Sequence, residues 1–289
     1  MKNQPAAVIE SFFHTDTQTI SHLLYDPDSR HAALIDPVLD FDAAGARTQT
    51  HSAEEILSRI TQSGLTLRYV LETHAHADHL SAAPFFRDAL GTQVGIGRGI
   101  TAVQQHFKAV FGLADGFNPD GRDFDLLLDE GQILPLGSLA IEVISTPGHT
   151  PDGLSYRIGD AVFIGDTLFA PDVGSARCDF PGGSPEQLFA SIQRLLALPE
   201  HYTLYLCHDY PPNGRELKFL STVADQRTHN IHLQPFERSA YCKLRRTRDA
   251  KLPVPHLLLP ALQVNIRAGR LPPTESDGYS YLRLPLNRV

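Results

Sequence analysis

The chain has no tryptophan, one methionine and only three cysteines in 289 residues. Cys178, Cys207 and Cys242 show no C-x-x-C spacing. An odd, scattered set argues against a disulfide framework and suits a reducing compartment, so a cytoplasmic location is expected. No run of about 18 apolar residues appears, so no membrane-spanning helix is expected. The opening stretch MKNQPAAVIESFFHTD lacks a basic start followed by an apolar run, and no secretion signal is expected. Positive charge is also scarce: the formal net charge of -8 gives no support to nucleic acid as a general partner. One local exception is the cluster Arg238, Lys243, Arg245, Arg246, Arg248 and Lys251, which reads as a solvated face or as a docking site for an anion.

Hydrophobic residues make up 42% of the chain, enough to bury a core in one large domain or two small ones. No internal repeat stands out. Apolar runs predict strands at Thr19–Tyr25 and His31–Ile35, with a turn at Asp26-Pro27-Asp28-Ser29 between them. Ser52-Ala-Glu-Glu55 has capping-box spacing and predicts a helix to Gly64. Leu67–Leu71 reads as a buried strand, followed by a helix from Leu80 to Leu90, a strand at Val94–Ile96 and a helix at Ala102–Phe111. Short strands are expected at Asp125–Leu128, Gln132–Leu134, Ala140–Ser145, Leu154–Ile158, Ala161–Ile164 and Leu204–Cys207. Ser184-Pro185 sets a helix start, with the helix running to Leu196. Strands then helices, twice over, predict an α+β protein with layered sheets inside and helices outside. Residues 1–235 form the expected main domain. Residues 236–289, rich in proline, read as an extended C-terminal segment packed on it.

Fourteen histidines are many for this length, and several stand where metal chemistry needs them. Thr73-His74-Ala-His76-Ala-Asp78-His79 places four ligand-capable side chains just after a buried strand, spaced by alanines. His149 follows the strand Ala140–Ser145, Asp166 follows Ala161–Ile164, and His208 ends the run Leu204–Cys207. An apolar strand ending on His or Asp thus recurs four times. Strand ends on a common edge can converge, so these groups can meet at one ion.

The residues His74, His76, Asp78 and His79, with His149, Asp166 and His208 in order behind them, resemble the HxHxDH signature of the metallo-β-lactamase superfamily. The resemblance implies two face-to-face sheets flanked by helices, with the metal site at the sheet edge. The strings THAHADHLSAA, TPGHTPDGLSY, GDTLF, ARCDFPGG and HDYPP are similar to the persulfide (sulfur) dioxygenases. The tail from RDAKLPVPH onward is similar to their longer bacterial type. That likeness implies one Fe(II) per chain held by His74, His149 and Asp166. Two imidazoles and a carboxylate would leave about three coordination positions open, as in non-heme iron oxygenases. The implied reaction converts glutathione persulfide, O2 and water to sulfite and glutathione. His76, Asp78, His79 and His208 are implied to orient ligands and hold water, or to take a second metal. The likeness also implies a homodimer and a sulfurtransferase partner.

Arg177 and Tyr210 match family positions near bound glutathione. From its own surroundings Arg177 also reads as an ion pair with Asp179, and Tyr210 as a packed core tyrosine. Cys178 and Cys207 read as packed thiols rather than nucleophiles. Gly182-Gly183 turns the chain. The competing reading is a dizinc thioester hydrolase resembling glyoxalase II, with Asp166 between two ions. A sensor that kept the fold would show a damaged ligand set, and none is seen. A nuclease of the same superfamily is not expected, given the acidic charge and no recognisable nucleic-acid domain in this sequence.

Overall fold

The computed structural model describes residues 6–113 and 116–288. The first five residues of the stretch read above for a secretion signal lie outside the described residues. In chain order the strands are β1 (Val8–His14), β2 (Thr19–Tyr25), β3 (His31–Ile35), β4 (Val38–Asp42), β5 (Arg47–Gln49), β6 (Thr66–Leu71), β7 (Leu80–Ser81) and β8 (Gln93–Gly97). They continue as β9 (Leu126–Leu128), β10 (Ile133–Leu136), β11 (Leu139–Ser145), β12 (Leu154–Ile158), β13 (Ala161–Phe163), β14 (Thr203–Tyr205) and β15 (Leu220–Thr222). The helices are α1 (His51–Gln62), α2 (Ala83–Leu90), α3 (Ile100–Phe111), α4 (Pro185–Leu196), α5 (Val223–His229), α6 (Arg238–Asp249) and α7 (Leu258–Asn265).

Two six-stranded sheets dominate, in the orders β1-β2-β3-β6-β8-β9 and β10-β11-β12-β13-β14-β15. Alternation along β3 shows how the layers form. Ala33 and Ile35 point between the sheets, where they meet Leu71, Ile141, Val143, Tyr156 and Phe163. Ala32 and Leu34 point the other way, onto Ile56 and Ile60 of α1, Phe86 of α2 and Phe107 of α3. The outer face of the second sheet packs Val162 and Leu204 against Leu188, Ile192 and Leu195 of α4. Strands buried on both faces read as unbroken apolar runs, as Ala32–Ile35 of β3 does, while the equally buried β2 carries Thr19, Ser21 and His22 among its apolar residues. This is the expected four-layer α+β arrangement of the metallo-β-lactamase fold.

Three local expectations are corrected. Ser52 does not cap α1: Thr50 stands at the N-cap, and Asp40 of β4 accepts both the Ser52 amide (3.0 Å) and its hydroxyl (2.6 Å). A carboxylate brought by the fold thus does the capping. Leu80–Ser81 is a strand paired with β4, so the following helix starts at Ala83. The C-terminal segment is not extended throughout, because it contains α6 and α7. Pro260 falls in the first turn of α7, where a missing N–H costs nothing, while Pro253 and Pro255 lie in the connection. The turn at Asp26 and the Ser184 cap of α4 are as expected: Asp26 accepts from the Asp28 amide (3.1 Å) and the Ser29 hydroxyl (2.7 Å). Ser184 accepts from the Gln187 amide (3.3 Å).

His22 of β2 is buried against the rings of Phe163 and Tyr205. Its Nε2–H donates to the Leu206 carbonyl (2.9 Å), and Nδ1 accepts from the Ser11 hydroxyl (2.9 Å). Burial pushes its pKa down to about 4. The unfolded chain therefore binds a proton below about pH 6.5 that the folded chain refuses until about pH 4. The contribution is whole above that window and lost as pH falls through it, roughly 3 kcal/mol in all. His22→Gln is expected to lower stability at pH 8 yet flatten the loss between pH 6.5 and 4, read by urea midpoints of metal-free protein. An unchanged slope would refute this.

Candidate metal centre

The parallel strands β3, β6 and β8 end on one edge, and the parallel pair β13–β14 ends facing them. The loop after β6 carries His74, His76, Asp78 and His79. The loop after β11 carries His149, a short 3-10 turn after β13 carries Asp166, and His208 follows β14. Backbone links lock these loops together: the Leu154 amide donates to the Thr73 carbonyl (2.8 Å), and the Ile20 amide to the Cys207 carbonyl (2.7 Å).

One ring nitrogen of each histidine is committed, and that decides where the other points. His149 and His208 each donate Nδ1–H to a carbonyl, of Arg177 (2.7 Å) and Gln18 (3.1 Å). A carbonyl can only accept, so each Nε2 carries a lone pair. The Thr73 hydroxyl gives its hydrogen to Asp36 (2.8 Å), so His74 Nδ1–H donates to that oxygen (3.0 Å) and Nε2 is left bare. His79 Nδ1 meets the Thr19 hydroxyl at 3.3 Å, and His76 Nε2–H donates to Asp36 at 2.9 Å. The result is five buried atoms without a hydrogen-bond partner: Nε2 of His74, His79 and His208, Nδ1 of His76, and Oδ1 of Asp166. Buried polar atoms are rarely left unpaired, and this gathering of ring nitrogens and a carboxylate oxygen fits one or two cations.

The ligand atoms of His74, His149 and Asp166 lie within 4.8 Å of one another, and so do those of His76, Asp78 and His79. Asp166 faces both groups, with His149 Nε2 at 3.7 Å from one oxygen and His208 Nε2 at 3.5 Å from the other. His208 Nε2 is also 3.3 Å from Asp78. The two groups differ in electrostatics. Burial, then the neighbouring His76 and His149, hold the His74 pKa well below its usual range, which keeps its lone pair free. Burial opposes charge on His76 too, but Asp36 and Glu72 against Nε2 outweigh it and raise its pKa well above normal.

Several supporting residues were not singled out in the sequence. Asp36 accepts from the Thr73 amide (2.7 Å), the Thr73 hydroxyl and His76. Asp152 accepts from the Ala75 amide (2.7 Å), tying the His149 loop to the His74 loop. A signal existed for Asp36, since Ala32-Ala-Leu-Ile35-Asp36 is a fifth apolar strand ending on an acid. Cys207 is buried with its thiol pKa raised, by burial first and then by Asp36, which disfavours a thiolate ligand. Burial pushes Cys178 up to about 12, in line with a packed thiol.

A cavity of about 820 Å³ opens onto this centre, with Asp78, His149 and Asp166 at its base. Arg177 and Tyr210 both line it. Arg177 is held in a two-pronged pair with Asp179 (2.6 Å each) and donates to the Pro253 carbonyl (2.8 Å). Tyr210 is not a core residue: it is 41% exposed, stacked on His208 and edge-on to Phe169. The basic cluster at 238–251 divides. Arg245 is buried against Asp249, Arg246 pairs with Glu186, and Arg248 lines the cavity.

Two stacked sheets with histidine and aspartate loops converging at one edge define a metal-site protein of a recognisable class. The model of the metallo-beta-lactamase superfamily matches residues 15–208, which include all seven of these histidines and aspartates, and the chain belongs to that superfamily. It is 46% identical over 292 residues to a probable metallo-hydrolase of Burkholderia pseudomallei, covering 97% of this chain and 99% of the relative. It is 44% identical over 284 residues to glyoxylase B2 of Dictyostelium discoideum, covering 97% of each. The human mitochondrial persulfide dioxygenase ETHE1 is 30% identical over 271 residues, with 92% and 91% covered. Among solved structures, ETHE1 from Myxococcus xanthus superposes with a TM-score of 0.72 at 29% identity, covering 91% of this chain and all of that one. Among the described residues, no helix is long and apolar enough to cross a membrane.

Proposed function

We propose that the chain is a cytoplasmic iron-dependent persulfide dioxygenase with His74, His149 and Asp166 as ligands to a single Fe(II). The observation that carries this reading is the unequal pair of ligand groups. His74, His149 and Asp166 bring their ligand atoms within 4.8 Å of one another, and His149 and Asp166 line the cavity where a substrate would enter, whereas His76 and His79 are fully buried and do not line it. The similarity to ETHE1 proteins over nearly the whole chain supports the same choice. Iron(II) in this triad would supply the electron path between a persulfide sulfur and O2. The balanced reaction is glutathione persulfide plus O2 plus water to glutathione, sulfite and two protons. The terminal sulfur gives up four electrons, and O2 takes them.

The chain's own residues shape the approach. Phe169, Val173 and Leu252 give the cavity apolar walls that keep bulk water from a reactive sulfur. Arg177, through Asp179 and Pro253, holds the wall formed by residues 252–256, and Tyr210 covers His208. We expect Arg177→Ala to keep its metal and raise the apparent KM severalfold. Unchanged steady-state kinetics would remove it from the substrate cavity.

The second reading is a dizinc thioester hydrolase. It is favoured by Asp166 facing both groups, by the bare Nε2 atoms of His79 and His208, and by the similarity to glyoxylase B2. Anaerobic purification with quantitative metal analysis separates the two, at about one iron against about two zinc per chain. Oxygen uptake on glutathione persulfide, set against hydrolysis of S-lactoylglutathione, separates them by activity. Two zinc ions with no oxygen consumed would reject the dioxygenase.

A further inference from the structure

The family model ends at residue 208, and the C-terminal segment lies beyond it. Yet that segment reaches the metal-ligand loop through one side chain. Asn265, the last residue of α7, is 4% exposed and uses its whole amide on this loop. Nδ2 donates to the carbonyls of His76 and His79 (2.8 Å each), and Oδ1 accepts from the Ser81 amide (2.9 Å). The two carbonyls bracket Ala77 and Asp78, so one amide fixes the separation of the peptide units that carry three candidate ligands. The Ser81 hydroxyl meanwhile donates to Glu72, closing the loop at its ends.

A separate observation shows how closely the segment is fitted here. Gly269 has φ +82, and a Cβ there would stand 2.7 Å from the Ser81 carbonyl oxygen and 2.5 Å from Pro84 Cδ. The chain leaving α7 therefore lies directly on the end of the ligand loop. Gln104 of α3 fixes this end by donating to the Ile266 carbonyl (2.8 Å).

We propose that Asn265 is a positioning residue of the metal centre, so that the C-terminal segment sets how tightly and in what geometry the centre holds metal. Without Asn265 two buried carbonyls and one amide lose their partners, and the loop must turn toward other ones. His76, Asp78 and His79 then leave their common focus. The inference rests on the metal-centre reading with His76, Asp78 and His79 facing metal, and its failure would leave the His74, His149 and Asp166 set standing.

The test uses Co(II) as a spectroscopic probe on full-length apoprotein. Affinity is read by chelator competition and coordination by the visible Co(II) spectrum. Asn265→Ala, with Asn265→Ser as the milder variant should the first not fold, is expected to weaken Co(II) binding about 10- to 100-fold and to change the spectrum. Ile60→Ala, which opens a gap under α1 without removing any hydrogen bond to the loop, serves as a destabilised control. It is expected to lower the melting temperature while leaving affinity within about twofold of wild type, as an outer residue without ligand contact should. Wild-type affinity and spectrum in a folded Asn265 variant would overturn the proposal. So would equal weakening in the Ile60 control, which would make the effect one of stability alone. Failure of the wild-type protein to bind Co(II) would instead reject the metal centre itself.

Discussion

Replacing His149 with alanine is expected to cost the protein its metal and its activity together. His149 is the proposed ligand on the second sheet's β11–β12 loop, and its direction is set by the 2.7 Å bond from Nδ1 to the Arg177 carbonyl. Its Nε2 stands 3.7 Å from Asp166, within the focus shared with His74. Losing an outer-shell partner weakens metal binding about 10- to 100-fold, so losing a direct ligand should weaken it by at least about 100-fold. Little metal should then survive dialysis against a chelator. The ring is partly exposed, so the fold should persist, which circular dichroism can check. A folded His149→Ala protein with its full complement of metal would show that the ligand assignment is wrong.

The second large effect is expected at Asp36. This carboxylate is buried, receives the Thr73 amide, the Thr73 hydroxyl and His76 Nε2, and sits in the left-handed region at φ 50. Aspartate tolerates that conformation better than most residues. His76 and Asp36 support each other, and burial alone would disfavour charge on either. Asp36→Ala strands a buried imidazole and two donors, at a cost of about 3 to 5 kcal/mol. For a domain of this size that is a fall in melting temperature on the order of 10 °C. Thr73 also orients His74, so metal content should drop with it. Asp36→Asn keeps the shape and two acceptor bonds and should lose less. Calorimetry showing Asp36→Ala melting within about 2 °C of wild type, against roughly 10 °C expected, would dispose of this account.

The ligand loops were legible in the sequence because their signal is local. A buried strand, a few small residues and a histidine stand within ten positions, as at Leu67–His76. Most strands of the two large sheets were legible for the same reason, while β1, β4, β5, β7 and β15 were not foreseen. The helix α6 was not, and its composition explains why. Its buried face is Tyr241, Cys242, Arg245 and Asp249, so half of what faces inward is an ion pair. A reading that sorts residues into apolar and polar sees there only a basic run. Asn265 gave no signal at all, and Asp36 gave only its place after an apolar strand, which does not tell what it holds. Each acts on a partner distant in sequence, Asn265 across 186 residues to His79 and Asp36 across 40 to His76. The expected helix at Leu80 slipped because pairing with β4, a strand not foreseen, claims its first two residues.

The order of the loops along the chain has a consequence for biosynthesis. Metal-facing groups enter at His74, His149, Asp166 and His208, and the amide that steadies the first loop comes only at Asn265. A growing polypeptide that has emerged through β6 holds several imidazoles but no enclosed nest for them. Long-range closure of this kind is slow to form. Metal loading should therefore wait until the segment carrying Asn265 has been made and docked, rather than follow each loop as it emerges.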